Sequence, residues 1–237
     1  MRLVPCALLL LAASPAFAGE ADPAATRLLA EARAARAEWR NFPGFTADVE
    51  VNEDGRLVRG TVRVAADGRV RFEGIDPGAH AWALRATRSL VAHRLPQTRE
   101  APTPCRFADE GDADHPLGRK VLVLNDELHS SYRIRDEQIL EVNRVMKDAR
   151  FTITVLENRK TPEGKYLPCS YQVSYWDTEG KELTRAEGHV NTWERVGAFD
   201  LPAEIRVITA AKPGDVPPLA ARSITFRNHR LAERAAK

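Results

Sequence analysis

The stretch 41–72, NFPGFTADVEVNEDGRLVRGTVRVAADGRVRF, constrains the fold of this chain more than any other. Phe45, Ala47, Val49 and Val51 alternate with polar neighbours, the period of a strand with one buried face. Asp54-Gly55 and Asp67-Gly68 supply residues that tolerate the positive φ angles of tight hairpin turns. Three antiparallel strands on two turns are therefore predicted. Such a pattern specifies an architecture and no reaction.

Around these hairpins the chain predicts two helices. Asp22 before Pro23 is a cap followed by a proline at the first helical position, and Pro43-Gly44 is a stop, so a helix is expected over 23–40. Leu28, Ala32, Ala35, Trp39 and Phe42 would form its apolar stripe, with Arg27, Arg33, Arg36 and Arg40 on the wet side. The pair Asp76-Pro77 repeats the starting device and predicts a second helix over 77–93, ended by Pro96. Its apolar face would hold Ala79, Trp82, Ala83, Ala86 and Leu90. Placed between the first hairpins and the later strands, this helix suits a lid across a curved sheet.

Residues 102–118 read as loop with a short strand near 105–108, and the remainder is almost all strand. Leu167, Cys169, Tyr171, Val173 and Tyr175, for example, alternate along one long run. About eleven strands joined by hairpins, with two helices, predict a mainly β chain. Its fold would be a strongly curved antiparallel sheet, an open half-barrel lidded by helix. No internal repeat or second domain is evident.

Residues 1–18 have the layout of a cleaved signal peptide. Arg2 is a positive start, 7–13 an apolar core, and Ala16-Phe17-Ala18 a small-x-small cleavage site before Gly19. The apolar run is shorter than the roughly 20 residues of a membrane span, and no second such run follows. Residues 19–237 are thus expected to be one domain, periplasmic or secreted and not membrane-spanning. The leader holds one of the 35 Lys and Arg and none of the 33 acids, so the rest is close to neutral with both signs interspersed. That balance excludes nucleic acid, which needs a basic face, and strong adhesion to an anionic membrane surface. Cys6 lies in the leader. Cys105 and Cys169 remain, and in an oxidising compartment they either form one disulfide or stay as two buried thiols.

The helix, then GFTADVEV, RGTVRV and DGRVRFEG, and at the far end FDLPAEIRVI with ARSITFRNHRL, resembles the pattern of an uncharacterised exported bacterial family, domain of unknown function 3386. The turn at Trp193, Glu194, Arg195, Val196 and Gly197 belongs to the same pattern, and the resemblance covers nearly all of the chain after the leader. More distantly, the chain is similar to the LolA/LolB-like periplasmic lipoprotein-carrier half-barrels. That resemblance implies an N-terminal helix, an unclosed sheet of about eleven strands lidded by helices over an apolar cavity, and binding of acyl chains. No individual carrier residue transfers to a position here.

Motifs for chemistry are absent. There is no His-x-His, no His-Glu-x-x-His and no Gly-x-Ser-x-Gly. His80 and His93 would point about 140° apart on one helix. The acidic loop 109–114 lacks EF-hand spacing. No catalytic residue, metal site or cofactor is therefore expected. The residues expected to line a cavity beneath the lid are Phe45, Val62, Phe72, Trp82, Leu90, Tyr171, Tyr175 and Trp193, and the competing reading of each is core filling. The leading expectation is a non-enzymatic exported binder of a lipid or other apolar molecule. The alternatives are a packed envelope module that binds another protein, and an enzyme with its site at the cavity mouth.

Overall fold

The computed structural model of the protein describes residues 20–97, 101–110, 112, 114–147, 149–212 and 219–233; the expected leader, 1–18, lies outside them. Helix α1 (Pro23–Ala34) precedes the strands β1 (Gly44–Glu53), β2 (Arg56–Ala65) and β3 (Val70–Glu73), and helix α2 (Ala81–Ala92) follows. Next come β4 (Cys105–Phe107), β5 (Arg119–Val123), β6 (Ser131–Arg135), β7 (Gln138–Val145) and β8 (Arg150–Lys160). The chain ends with β9 (Tyr166–Trp176), β10 (Leu183–Val196), β11 (Phe199–Ala211) and β12 (Leu219–Leu231).

The twelve strands form a single curved antiparallel sheet in the order β3-β2-β1-β12-β11-β10-β9-β8-β7-β6-β5-β4. The predicted half-barrel is thus present, with one strand more than expected. Two connections make its topology. The last strand, β12, returns to pair with β1, from Phe45↔Leu231 to Glu53↔Arg222. The α2 connection carries the chain from one outer strand, β3, to the other, β4. These two edges do not pair, so the sheet stays open.

The hairpin chemistry of the opening segment is realised locally. At Asp54-Gly55 both residues adopt positive φ, 51° and 89°, and Glu53 pairs with Arg56 directly across the turn. The Gly55 N–H also donates to Asn52 Oδ1 at 2.8 Å. At the second turn Gly68 has φ 85°, and Asp67 Oδ1 accepts from the Arg69 N–H at 3.0 Å.

Both helices are shorter than the sequence predicts. Asp22 caps α1 as expected, accepting from the Ala24 N–H at 2.7 Å, but the helix ends at Ala34 rather than at 40. The reason is non-local. The backbone at 35–37 leaves the helix to bond the start of β9: Tyr166 N–H donates to Ala35 O, and Ala37 N–H to Tyr166 O, both at 2.8 Å. Trp39 and Phe42 consequently lie in irregular chain instead of on a helical stripe. Helix α2 begins at Ala81, not 77, because Asp76 forms a separate turn, its side chain accepting from the Gly78 N–H at 2.8 Å. The face that α2 buries is Ala83, Thr87 and Val91, with Thr87 Oγ1 donating back to Ala83 O at 2.9 Å.

Each helix seals one end of the concave face. Helix α1 lies on β4, β6 and β7, and α2 on β3. Under α1, Ala25, Leu29 and Ala32 pack with Cys105, Val121, Tyr132 and Ile134. Under α2 the larger core holds Phe45, Val51, Val62, Val64, Val91, Leu201 and Ile224, together with Trp39, Phe42 and Phe199. Trp39 Nε1 donates to Asp200 O at 2.9 Å, so the buried indole is satisfied. Cys105 and Cys169 are free thiols in different clusters, Cys105 under α1 and Cys169 against the core under α2. The disulfide reading of this pair is not realised. Among the described residues no helix is long and apolar enough to cross a membrane.

Candidate functional site

Residues directly opposite one another on antiparallel strands share a face, so the register defines the floor of the concave side. Val142 faces Ile153, which faces Val173, which faces Glu187. In the next row Arg144 faces Phe151, Tyr175 and Arg185. A third row joins Val155 to Tyr171 and to His189. The same face runs under α1 through Tyr132, opposite Val142, and under α2 through Ile205, opposite Asn191.

The middle of this face is covered less than its ends. Every residue of β7 is half-buried, as is β8 from Arg150 to Val155, whereas the strands beneath the helices carry side chains exposed by only a few per cent. Between the two helices lies a strip whose half-buried apolar members are Phe151, Ile153, Val155, Tyr171 and Tyr175, around a buried Val173 and bordered by Val142, which packs against the core under α1. Its width follows from the sheet itself, since the two helices sit on opposite ends of twelve strands.

One side of the strip is polar and internally compensated. The Tyr171 and His189 rings stack with centroids 4.5 Å apart and planes at 9°. Glu187 accepts from Tyr175 Oη at 3.3 Å, meets His189 Nε2 at 3.3 Å and pairs with Arg185 Nε at 3.3 Å. Burial alone would raise the Glu187 carboxyl, but the His189 contact and the Arg185 charge outweigh it and hold the group below its ordinary pKa. Arg185 also lies over the Tyr175 ring at 3.9 Å. Burial raises the phenols of Tyr171 and Tyr175. Asn191 is only 5% exposed, and its Oδ1 has no hydrogen-bond partner among the described residues.

Positive charge gathers at a second place along the strip. Arg94, just beyond α2, is 4% exposed; its Nη1 donates to Ala37 O at 3.0 Å, and its guanidinium sits 6.0 Å from the Trp193 ring. Burial, reinforced by the nearby Arg36 charge, pushes its pKa down to about 10. At the rim, packing around the His93 ring and then the charges of Arg36, Arg94 and Arg144 hold that imidazole below its usual value, against the opposing contact with Ser89 O. The Arg144 Nε is buried with no partner among the described residues.

Of the eight side chains expected to line a cavity, six belong to the packed core under α2. Phe45, Val62 and Trp193 are buried there, and Phe72, Trp82 and Leu90 pack against it. Only Tyr171 and Tyr175 stand in the half-covered strip. The sequence reading missed Phe151, Ile153 and Val155, although their alternation in FTITV marks a one-faced strand. It also missed Arg94 and Arg144, whose convergence has no local signal. Among the described residues no group of three or more His, Cys, Asp or Glu is placed to hold a metal ion.

Three solved structures are similar to this chain along most of their lengths. The LolA superfamily protein NE2245 from Nitrosomonas europaea is 12% identical, with 89% of this chain and 94% of that one covered and a TM-score of 0.35. A DUF1329 family protein from Desulfovibrio piger is 10% identical, covering 92% and 96%, with a TM-score of 0.28. MucB, solved in complex with MucA(peri), is 13% identical, covering 89% and 98%, with a TM-score of 0.19. At these scores nothing of the three proteins' chemistry transfers. No curated protein matches the chain. The family described as "Protein of unknown function (DUF3386)" matches residues 20–232, nearly the whole described fold, and the chain belongs to that family.

Proposed function

We propose that this is an exported binding protein that holds a lipid or other apolar molecule on the half-covered middle of its concave face. The observation that carries this reading is the strip itself. Phe151, Ile153, Val155, Tyr171 and Tyr175 lie side by side on one face, between the core under α1, which takes in Val142, and the core under α2. A concave apolar surface of this kind gains free energy when a ligand removes it from water, about 25 cal/mol per Å². The space beneath α2 is filled by side chains, so the ligand's place moves from under that helix to the gap between the helices. Binding is favoured over catalysis because, among the described residues, the carboxylate cluster on the strip, around Glu187, is closed upon itself by Tyr175, Arg185 and His189.

The test is to purify the mature protein from its native periplasm and compare native with denaturing mass spectra. The reading expects a mass excess that is lost on denaturation and recovered as lipid in the extract. Val155→Asp, on the strip, should abolish that excess. Leu156→Asp, at a neighbouring position that is 65% exposed, should leave it intact. A bare mass with no uptake of an apolar dye would overturn the proposal, as would undiminished retention by the Val155→Asp protein.

A further inference from the structure

Charge on the concave face is compensated around Glu187 and not at Arg94 and Arg144. Around Glu187 every charge has a close partner, as described above. Arg94 and Arg144 differ. Among the described residues neither is in an ion pair, yet Arg94 is almost wholly buried and the Arg144 Nε is fully so. Two carboxylates bear on them at longer range, Glu38 on Arg94 and Asp126 on Arg144. Glu38 lies 3.7 Å from Arg40, and Asp126 is occupied by the backbone N–H groups of Leu128 and Ser130. Arg36 adds a third positive charge close by, its Nη2 donating to His93 O at 3.0 Å. Three guanidinium groups thus act on one histidine from three separate parts of the chain: the segment after α1, the end of α2, and β7.

Placing cations out of water without a counter-charge is costly, and buried charges are normally paired. Guanidinium groups are also the side chains best matched to carboxylate and phosphate, which they meet with two parallel hydrogen bonds. Arg144 stands in the same cross-strand row as Phe151 and Tyr175, so the cationic end and the apolar strip are continuous.

Resting on the binding role proposed above, we infer that the ligand is an amphiphile with an anionic head, a carboxylate or phosphate on an acyl chain. The chain lies on Phe151, Ile153 and Val155, and the head meets Arg94 and Arg144. The near-neutral net charge of the whole protein is compatible with this, because selection by charge is exerted inside the concave face and not by the outer surface.

Isothermal titration of the delipidated mature protein with three probes tests the assignment. Laurate has both chain and charge, dodecyl maltoside has an alkyl chain one carbon longer with no charge, and acetate has the charge alone. Laurate is expected to bind about tenfold or more tightly than dodecyl maltoside, the size of one hydrogen bond to a charged group, and acetate not at all. Arg144→Gln should lower laurate affinity about tenfold, and Arg144→Lys, which keeps the charge, should retain most of it, with circular dichroism confirming the fold of both. Equal affinity for laurate and dodecyl maltoside would overturn the anionic head while leaving the binding role standing. Failure of both to bind would overturn the role itself. Acetate binding as tightly as laurate, or identical losses in the Gln and Lys variants, would also overturn the inference.

Discussion

Replacing Phe45 by alanine decides whether the region beneath α2 is solid. Phe45 is 1% exposed and sits among three rings. Trp39 lies 6.4 Å away edge-on, Phe42 6.2 Å away edge-on, and His229 5.6 Å away, while Phe199 packs on Phe42 at 5.5 Å. Burying a phenylalanine side chain contributes about 1.5–3 kcal/mol by transfer alone. Each aromatic pair adds about 0.5–1.5 kcal/mol, and the cavity left by a rigid surround adds about 24 cal/mol per Å³. The expected cost is therefore about 4 kcal/mol, near the middle of the range for phenylalanine truncations. For a domain of this length that lowers the Tm by about 8–16 °C. Urea unfolding followed by tryptophan fluorescence measures it directly, with an unchanged slope showing that the native state is otherwise intact. If α2 instead roofed a hollow, the ring would already border empty space and its loss would cost about 1 kcal/mol or less. That result would refute the packed core and return the ligand to the space under the helix.

Two further outcomes are expected. Asp109, its side chain only 3% exposed, pairs with Arg119 Nε at 2.5 Å and accepts from the Lys120 N–H at 3.1 Å. The Arg119 hydrogen bond outweighs burial and holds the carboxyl below its ordinary 3.8. The folded pKa is depressed, so the stabilisation is present above pH 3.8 and is lost as pH falls through the lower folded value. Asp109→Asn should cost about 1–2 kcal/mol at neutral pH, the partial exposure of Arg119 placing it at the low end, and should flatten the acid limb of the stability curve. An unaltered acid limb would show that the pair does not form. For the cysteines, burial raises both thiols, and alkylation should add two groups to the mature chain, without Cys6, in denaturant without reductant, with Cys105, at 0% exposed, protected in the folded protein. A mass two hydrogens short of the reduced chain would instead reveal a bridge.

The opening hairpins were legible in the sequence because their information is local. Asp54-Gly55 can adopt the two positive φ angles its turn requires, and once the turn exists the alternation of Phe45 to Val51 sets which side is buried. The cap at Asp22 is local in the same way, a side chain bonding backbone groups two and three residues ahead. The end of α1 is not. The sequence from 35 to 42 keeps a helical apolar spacing, yet backbone bonds to Tyr166, more than a hundred residues away, draw it out of the helix. That switch moves Trp39 and Phe42 from the α1 side of the sheet to the α2 core.

The candidate site divides the same way. That Phe151, Ile153 and Val155 share one face of a strand with its Tyr171 and Tyr175 neighbours' period is written in the residues, since side chains in a strand alternate by geometry. Which part of that face stays uncovered is decided by where two helices of twelve residues each come to rest on a sheet of twelve strands, a matter of packing at its two ends. The meeting of Arg36, Arg94 and Arg144 around His93 is likewise tertiary. Sequence alone shows three ordinary arginines among many; the segment after α1, the end of α2 and β7 bring their charges to one histidine, and the burial of Arg94 and of the Arg144 Nε makes that meeting chemically consequential.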